Sequence, residues 1–597
     1  MSGLTLVYNL DGRPADPTIC ERMTAVISHR GPDGTNHFVD GPVGLGYCSL
    51  RSTPESPRET QPLSDETGSL CLVMDGRVDN GSELRADLLA RRAILRTDAD
   101  AELVLRAYEL WGDDSPRRIV GDFAYVIWDK PKQQLFCARD HLGIRPFYYF
   151  FDGRTFLCAS EPRALLEHPA VQPRPNEGMV AEYLAYEITS VEDTLYEGIQ
   201  RLPPAHFIVV RPSGFRKQRY WEINRSHQIC YKADQEYVDH FNRVFKEAVR
   251  CRLRSHRPVA AELSGGVDSS CVVGMCQYLL RDGLVPDVGF ETFSLVFPGL
   301  PADETAWFRQ VVDFWNLNSN EVPAPPDPAW YPACAKRYLD LPDHANGHMA
   351  DFCSTLAYQK GCRVILTGLG GDDWFGHPPV PQSRLRRAFY RLRAQPDLDG
   401  IRSLLHDSIR VVRRACTSRT SVVPWIPDAF ALRSRLAERI EQKKRHDPLS
   451  HPVRLYCLEM KDRASARCGV EARHPYHDRR LIELLFAFPP DPLQRAGHNK
   501  YILRQAMRGL VPESVLQRLT KAEFSHTSAQ LFECDSISAV FQSARIASQG
   551  WIDQGRVAAM FHEFISLWNR GQRDNLPHVW PLDMVLGIEL WFRAAFP

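Results

Sequence analysis

A glycine-rich loop between a short apolar strand and an apolar helix constrains the fold of this chain more than any other feature. Residues 264 to 269 read Ser-Gly-Gly-Val-Asp-Ser, after a predicted strand over 258–263. Glycines let a backbone approach a phosphate closely, hydroxyls add donors, and the following helix offers its positive N-terminal end. The loop therefore predicts an α/β domain that binds a pyrophosphate, with Asp268 holding Mg²⁺. The alternative is a tight glycine-rich turn that binds nothing.

A second glycine loop follows about a hundred residues later. Residues 367 to 373 read Thr-Gly-Leu-Gly-Gly-Asp-Asp and come directly after an apolar strand predicted over 363–366. Loops at the ends of neighbouring parallel strands form the ligand site of an open α/β sheet, so Asp372 is expected to face Asp268 as a second Mg²⁺ ligand. The alternative is an ordinary loop. A further predicted strand, which ends near residue 297, could present its backbone to an adenine.

Further segments carry a resemblance to a known family. They are residues 29–34 (His-Arg-Gly-Pro-Asp-Gly), 139–146 (Arg-Asp-His-Leu-Gly-Ile-Arg-Pro), 160–161 (Ser-Glu), 469–473 (Gly-Val-Glu-Ala-Arg), 500–504 and 518–524. With the two loops, and in this order, they resemble the asparagine synthetase superfamily over most of the chain. The resemblance implies an N-terminal αββα glutaminase-like domain of the Ntn type over 1–210. It also implies a C-terminal α/β ATP-pyrophosphatase synthetase domain over 230–597, which adenylates a carboxylate and releases pyrophosphate.

The resemblance also implies which residues form the site. Residues expected to bind ATP are Leu263, Ser264, Gly265, Gly266, Asp268, Ser269, Leu295, Thr367, Gly368 and Gly370, and Asp268 and Asp372 are the expected Mg²⁺ ligands. Lys500 and Lys521 are expected to be catalytic. Lys521 would place positive charge where negative charge develops on the adenylate and the pyrophosphate. The alternative for Lys521 is an ordinary surface lysine.

Departures from the family pattern concern the N-terminal domain. Members that hydrolyse glutamine begin Met-Cys-Gly, whereas this chain begins Met1-Ser2-Gly3. A serine at a mature N-terminus can act as a nucleophile in other amidohydrolases, so Ser2 alone does not decide the matter. The family's Asn-Gly-Glu motif is replaced by Asp75-Gly76-Arg77, which exchanges an amide suited to glutamine for a carboxylate. Our interpretation is a retained fold without glutaminase activity.

Glu459 is the predicted base for the attacking amine. It stands fifteen residues before His474-Pro475-Tyr476, as the catalytic glutamate of β-lactam synthetases does. In its apolar helical run, an inward-facing carboxylate would be desolvated and its pKa raised. The alternative is a solvent-facing Glu459 paired with Arg463 four residues later. Leu369 stands where β-lactam synthetases carry tyrosine and asparagine synthetases glutamate, so neither chemistry is matched completely.

An insertion around 380–450 is strongly basic. Residues 384–446 carry sixteen Arg or Lys against six Asp or Glu. A solvated helical cover and a peptide-binding surface are both open interpretations. The formal net charge of zero argues against nucleic acid or membrane as partners. Without a long apolar run, a signal peptide or a CxxC pair, the chain is expected to be cytoplasmic with reduced thiols.

These observations lead to one functional hypothesis and three alternatives. By resemblance and elimination, the chain is most similar to a lasso peptide cyclase that uses ATP and Mg²⁺. Such an enzyme adenylates an Asp or Glu side chain of a precursor peptide, and the peptide's own α-amine then closes a macrolactam. The resemblance implies a leader-binding element and a leader peptidase as partners. The alternatives are a β-lactam-type or other small-molecule amide synthetase, an ammonia-dependent asparagine synthetase, and an inactive scaffold.

Overall fold

The computed structural model describes residues 1–342, 347–375, 423–443, 449, 451–495, 499–572 and 576–597. Most of the insertion predicted around 380–450 lies outside the described residues, including its basic residues between 384 and 419. The proposed roles of that segment therefore stay predictions.

Two stacked antiparallel sheets build the N-terminal part. Their strands are β1 (Gly3–Asn9), β2 (Thr35–Asp40), β3 (Val43–Cys48), β4 (Leu63–Ser64), β5 (Leu70–Val78), β6 (Gly121–Asp129), β7 (Gln134–Arg139), β8 (Tyr148–Phe151), β9 (Thr155–Ala159), β10 (Ile199–Arg201), β11 (His206–Arg211) and β12 (Gly214–Arg219). One sheet has the order β10-β8-β9-β1-β3-β2, and the other has the order β12-β11-β7-β6-β5-β4. Because β12 pairs with β11, this sheet continues beyond residue 210, the predicted end of the first domain.

Helices cover the outer face of each sheet. They are α1 (Pro17–Ala25), α2 (Gly81–Ala90), α3 (Asp100–Trp111), α4 (Ser115–Arg118), α5 (Pro162–Leu166) and α6 (Glu177–Leu184). Along β5, Leu72 and Met74 pack with the helix side chains Val104 and Tyr108, whereas Val73 packs between the sheets with Leu6. This alternation follows from the two-residue period of a strand. It confirms the predicted αββα layering.

The C-terminal part alternates helices with short strands. Its elements are α7 (Asp234–Arg252), β13 (Val259–Glu262), α8 (Val267–Arg281), β14 (Phe290–Val296), α9 (Thr305–Trp315), β15 (Ser319–Pro323), α10 (Trp330–Tyr338), α11 (Gly347–Gln359), β16 (Val364–Leu366), α12 (Gly371–Phe375), α13 (Asp428–Arg433), α14 (Leu436–Lys443), α15 (Pro452–Arg467), β17 (Glu471–Arg473), α16 (Arg479–Ala487), α17 (Pro490–Leu493), α18 (Tyr501–Ala506), α19 (Glu513–Leu516), α20 (Ser525–Phe532), α21 (Asp535–Gln542), α22 (Arg545–Ser548), α23 (Gln554–Asn569) and α24 (Val579–Ala595).

A five-stranded parallel sheet lies at the centre of this part, in the order β15-β14-β13-β16-β17. Phe245 of α7 and Val272 of α8 pack on one face, and Ala357 of α11 and Ala466 of α15 pack on the other. Covered faces of this kind explain why the inner strand β16 is a continuous, fully buried apolar run. Because β13 and β16 are neighbours, the two glycine loops that follow them open at the same edge of the sheet, as predicted.

The two parts share a hydrophobic core. Val180 and Leu184 of α6 pack with Phe564 of α23 and Trp591 of α24. The described end of the basic insertion joins the same core through Phe430 of α13. Burial of large apolar and aromatic side chains from both parts in one cluster favours a fixed orientation of the domains.

The C-terminal end of the insertion also bonds to the first domain through charge. Arg433 of α13 lies 2.8 Å from Glu177, and Arg439 of α14 lies 2.8 Å from Asp193. These two basic residues therefore serve domain packing. In the described part of the chain, no helix has the length and apolar character needed to cross a membrane.

Candidate active site

The first glycine loop is shaped by its own hydroxyls. Ser269 Oγ lies 3.0 Å from Ser264 Oγ and accepts the Ser264 N–H at 3.2 Å, and Ser264 Oγ accepts the Gly266 N–H at 3.3 Å. Gly265 has φ +77°, and a Cβ there would lie 2.6 Å from the Phe308 nitrogen. Only glycine fits this position, because the conformation is left-handed and the space is filled. The loop leads into α8, whose N-terminal end therefore points into the site.

The second loop packs directly against the first. A Cβ on Gly368 would lie 2.8 Å from the Ser269 nitrogen, and one on Gly371 would overlap the Asp268 carboxylate. Thr367 Oγ1 lies 2.7 Å from His474 Nδ1, which fixes the start of the loop. The glycines thus allow a contact between the loops that any side chain would prevent.

Two carboxylates and two lysines form a charged cluster between the loops. Lys500 Nζ lies 2.5 Å from Asp268 Oδ2 and 2.7 Å from Asp372 Oδ1. Lys521 Nζ lies 2.5 Å from Asp372 Oδ2. The structure therefore brings together Asp268, Asp372, Lys500 and Lys521, although Lys500 and Lys521 are more than 100 positions from either loop in the sequence. This group is called the charged cluster below.

Burial and charge act against each other on the pKa values of the charged cluster. Burial raises the pKa of Asp268, and the Lys500 ammonium opposes that rise. Burial would also raise the pKa of Asp372, but hydrogen bonds from Lys500 and Lys521 lower it. Burial would lower the pKa of Lys500, but the Asp268 carboxylate outweighs it and raises that pKa. Lys500 therefore carries a full positive charge at neutral pH.

Asp268 retains an acceptor that the lysines do not use. Its Oδ1 atom is buried without a hydrogen-bond partner among the described residues. Oxygen ligands of this kind suit Mg²⁺, and buried polar atoms are rarely left unpaired. The two carboxylates of the charged cluster therefore fit a divalent cation, and the adjacent N–H groups and lysines fit the phosphates that would accompany it.

The remaining predicted nucleotide-binding residues lie on the same strands. Leu263 is buried directly after β13, and Leu295 is partly buried in β14, the neighbouring strand. Gly370 has φ +97° and packs on the His477 ring. Their positions place them at the sheet edge that carries both loops. Their contacts with a nucleotide stay a prediction.

Two side chains that support the loops were missed at the sequence level. The Tyr476 hydroxyl donates to the Asp268 carbonyl at 3.0 Å. Arg518 donates to the Gly265 carbonyl at 3.2 Å and pairs with Glu304 at 2.6 Å. In the sequence, the His-Pro-Tyr segment served only to locate Glu459. Because this segment directly follows β17, the neighbour of β16 in the sheet, its tyrosine could have been predicted to lie near the loops.

The raised pKa expected for Glu459 is wrong. Glu459 is buried, but Arg201 Nε lies 2.9 Å from its Oε2 atom and Arg139 Nη2 lies 3.3 Å from its Oε1 atom. Burial alone would raise its pKa, but the two guanidiniums outweigh burial and lower it. The alternative pair with Arg463 is also wrong, because Arg463 pairs with Asp340 at 2.5 Å. The role of Glu459 as a base stays a prediction. Its carboxylate is already bound by two arginines of the N-terminal domain.

The position of the family's nucleophile is enclosed by hydrogen bonds. Ser2 Oγ lies 3.0 Å from the Tyr47 hydroxyl and accepts the Leu50 N–H at 3.1 Å. Asp75 lies 3.4 Å from Arg30, whose guanidinium also lies 2.7 Å from Asp462 of α15. The carboxylate that replaces the motif's amide is thus part of a buried ionic contact with the second domain.

A second buried ionic group crosses the interface at β17. Glu471 accepts hydrogen bonds from Ser52 at 2.5 Å, Arg77 at 3.1 Å and Arg473 at 2.7 Å, and it also pairs with Arg145. Burial would raise the pKa of Glu471, but the arginines lower it well below its ordinary value. Since removal of one partner from such a group leaves an unpaired buried charge, loss of any one of these side chains is expected to destabilise the contact between the domains.

Two family models match this chain, one over each of the two parts described above. Residues 1–221 match the model of a glutamine amidotransferase domain, and residues 240–593 match that of asparagine synthase. "Asparagine synthetase [glutamine-hydrolyzing] 3" of Bacillus subtilis (strain 168) is 26% identical over 83% of this chain and 82% of its own length. "Amidase chry2" of Gibberella zeae is 30% identical over 60% of this chain and 54% of its own. A glutamine phosphoribosylpyrophosphate amidotransferase structure from B. subtilis aligns with 54% of this chain and 82% of its own at 15% identity and a TM-score of 0.28.

Proposed function

Because the chain belongs to the asparagine synthetase superfamily, we propose that it joins a carboxylate to an amine of the same peptide and so forms a macrolactam, as a lasso peptide cyclase does. The coarser activity follows from the family. The chain is an ATP-dependent amide ligase that releases AMP and diphosphate. What remains to be argued is the source of the amine and the nature of the substrate.

The observation that carries the proposal is the state of the N-terminal domain. Ser2 stands where glutamine-hydrolysing relatives have cysteine, and its hydroxyl is engaged by Tyr47 and Leu50. Asp75 stands where they have asparagine, and it pairs with Arg30. The two departures together favour a domain that does not supply ammonia from glutamine. In this proposal, the nucleophile is therefore an amine of the substrate itself.

The first half-reaction is the transfer of AMP to the substrate carboxylate. A carboxylate oxygen attacks the α-phosphorus of ATP, and the bond to the β-phosphate breaks. The loop over 264–269 would receive the departing diphosphate on its N–H groups, with Lys500 and Lys521 balancing its charge. Mg²⁺, held by Asp268 and Asp372, would neutralise the phosphate oxygens when bound. Exclusion of water protects the acyl-adenylate from hydrolysis.

The second half-reaction is the attack of the amine on the acyl carbon. The neutral amine forms the C–N bond, the bond from the acyl carbon to the phosphate oxygen breaks to release AMP, and the proton that the nitrogen loses passes to a phosphate oxygen of the departing AMP. Because both groups belong to one peptide, the step is intramolecular, which can contribute about 7–11 kcal/mol in favourable cases. A leader peptidase and a leader-binding element would expose the amine beforehand, as the resemblance implies.

A pyrophosphate-release assay with mass spectrometry tests the proposal. Wild-type protein and Asp268→Asn receive ATP, Mg²⁺ and a leaderless candidate peptide, and in parallel aspartate with ammonium chloride or a β-amino acid. Pyrophosphate release together with a peptide lighter by one water supports macrolactam formation. Release with aspartate and ammonium would make the chain an ammonia-dependent asparagine synthetase, and release with the β-amino acid would make it a small-molecule synthetase. Absence of release with every substrate would favour the scaffold.

A further inference from the structure

Lys521 of the charged cluster lies on a stretch of chain that does not fix its position by itself. Residues 518–524 form neither helix nor strand, and the Lys521 side chain is 70% exposed. Its partner Asp372 is 61% exposed, and an ion pair in water holds a flexible lysine only weakly. An ordered position therefore needs further support. Two buried arginines, Arg504 and Arg518, supply it.

Arg504 connects the two segments that carry the lysines. It lies in α18, one turn after Lys500, and its Nε atom donates to the Asn499 carbonyl at 2.9 Å. Its Nη2 atom donates to the Arg518 carbonyl at 3.1 Å, and its Nη1 atom donates to the Leu516 carbonyl. Because a guanidinium presents its donors in a fixed planar fork, these three bonds hold the two segments at one distance.

Arg518 extends this connection to the first glycine loop. Its Nη1 atom donates to the Gly265 carbonyl at 3.2 Å and lies 2.6 Å from Glu304. Its Nε atom donates to Thr520 Oγ1 at 3.3 Å, directly before the exposed lysine. The guanidinium also lies over the Trp307 ring, 4.8 Å from its centroid, which keeps the group in place. The glycine loop and the lysine segment are thus bonded to the same guanidinium.

We propose that Arg504 and Arg518 are positioning residues, which hold Lys500 and Lys521 at the distance from the glycine loop that a bound pyrophosphate requires. Ammonium groups stabilise developing phosphate charge best when they are fixed beforehand, because no reorganisation is then needed. The arginines act through the lysines, since their own donors bond to carbonyls, Glu304 and a hydroxyl. The inference goes beyond the proposed function, because it applies to any carboxylate that the enzyme adenylates.

A double-mutant cycle on pyrophosphate affinity tests the inference. Calorimetric titration with pyrophosphate and Mg²⁺ compares full-length wild type with Arg518→Lys, Lys521→Ala and the double variant. We expect Arg518→Lys to weaken binding about tenfold and Lys521→Ala about thirtyfold, the range of charge-assisted hydrogen bonds. The double variant should bind about as weakly as Lys521→Ala alone, because Arg518 acts through that lysine. The control Arg309→Lys, at an exposed ion pair with Glu321, should leave the affinity unchanged.

Two results would overturn the inference. One is a double variant that binds about three hundredfold more weakly than wild type, because independent effects would show that Arg518 does not act through Lys521. The other is an unchanged affinity in Arg518→Lys, even where thermal melts show a loss of stability. If Arg518→Lys fails to fold, the cycle of Arg504→Lys with Lys500→Ala takes its place and is judged by the same results.

ATP–pyrophosphate exchange with a candidate peptide separates this inference from the proposed function. A pyrophosphate affinity that follows the cycle, without peptide-dependent exchange, would reject macrolactam formation and retain the positioning role. Peptide-dependent exchange, with a pyrophosphate affinity that the arginine substitutions do not change, would retain the proposed function and reject the positioning role.

Discussion

Substitution of Glu459 by glutamine separates a structural role from a catalytic one. The change removes the charge that two buried guanidiniums face, those of Arg139 and Arg201. Arg139 also donates to the carbonyls of Gly143, Arg145 and Leu202, so its charge stays well solvated by the backbone. Arg201 loses its only carboxylate partner among the described residues. Most of the lost folding stability is therefore expected to arise from the unpaired charge of Arg201.

The expected cost is about 3–5 kcal/mol, the range for removing one partner from a buried ion pair. This corresponds to a decrease of two to three and a half powers of ten in the ratio of folded to unfolded protein. The pKa of Glu459 is lowered in the folded protein, so its stabilising effect is present above the unfolded pKa of about 4.3 and is lost as the pH falls. The difference between wild type and variant should be full at pH 7 and should shrink below about pH 4.

Urea unfolding followed by tryptophan fluorescence measures this difference. The matched control is the double variant Glu459→Gln/Arg201→Met, which removes both charges and should recover much of the lost stability. At 25 °C the protein that remains folded should still catalyse ATP–pyrophosphate exchange and amide formation. An unchanged urea midpoint, combined with intact exchange and a hundredfold loss of amide formation, would refute this reasoning and support Glu459 as the base.

Three further predictions concern other positions. Gly371→Ala should lower ATP–pyrophosphate exchange about a hundredfold, because the new methyl group displaces the Asp268 carboxylate, whereas Gly555→Ala in helix α23 should leave exchange unchanged. Ser2→Cys should release no glutamate from glutamine in an enzyme-coupled assay, and measurable release would show that Asp75 does not prevent glutamine from binding. Burial would raise the pKa of Glu161, but His29 and Arg30 lower it to about 2, so Glu161→Gln should destabilise the protein above about pH 4.5, with the effect fading toward pH 2 in thermal melts.

The sequence predicted those parts of the site that are encoded locally. The loop over 264–269 carries its own turn glycines and its own hydroxyl acceptors, so its conformation depends little on distant residues. The residue pattern over 70–78 is typical of a strand, and this segment forms β5 (Leu70–Val78). Both signals lie within a few consecutive residues, and each was sufficient to predict its local structure.

Side chains with distant partners were not predictable in the same way. Glu459 faces arginines 258 and 320 positions earlier in the chain, and its pKa depends on them more than on its helical surroundings. Tyr476 reaches the Asp268 carbonyl across 208 positions. The stacking of Trp580 on Tyr186 joins two residues that are 394 positions apart in the chain. Pairings of this kind arise from the packing of two domains, and no local pattern records them.

The short strand β17 makes the C-terminal domain dependent on the N-terminal domain. Its first and last residues, Glu471 and Arg473, anchor the buried ions of the interface, and Tyr476 a few positions later supports the loop that carries Asp268. A gene that lost its first 221 codons would leave Glu471 without Arg77 and Arg145, and Glu459 without Arg139 and Arg201. The second domain therefore depends on the first for the partners of its buried charges, whatever reaction the first domain catalyses.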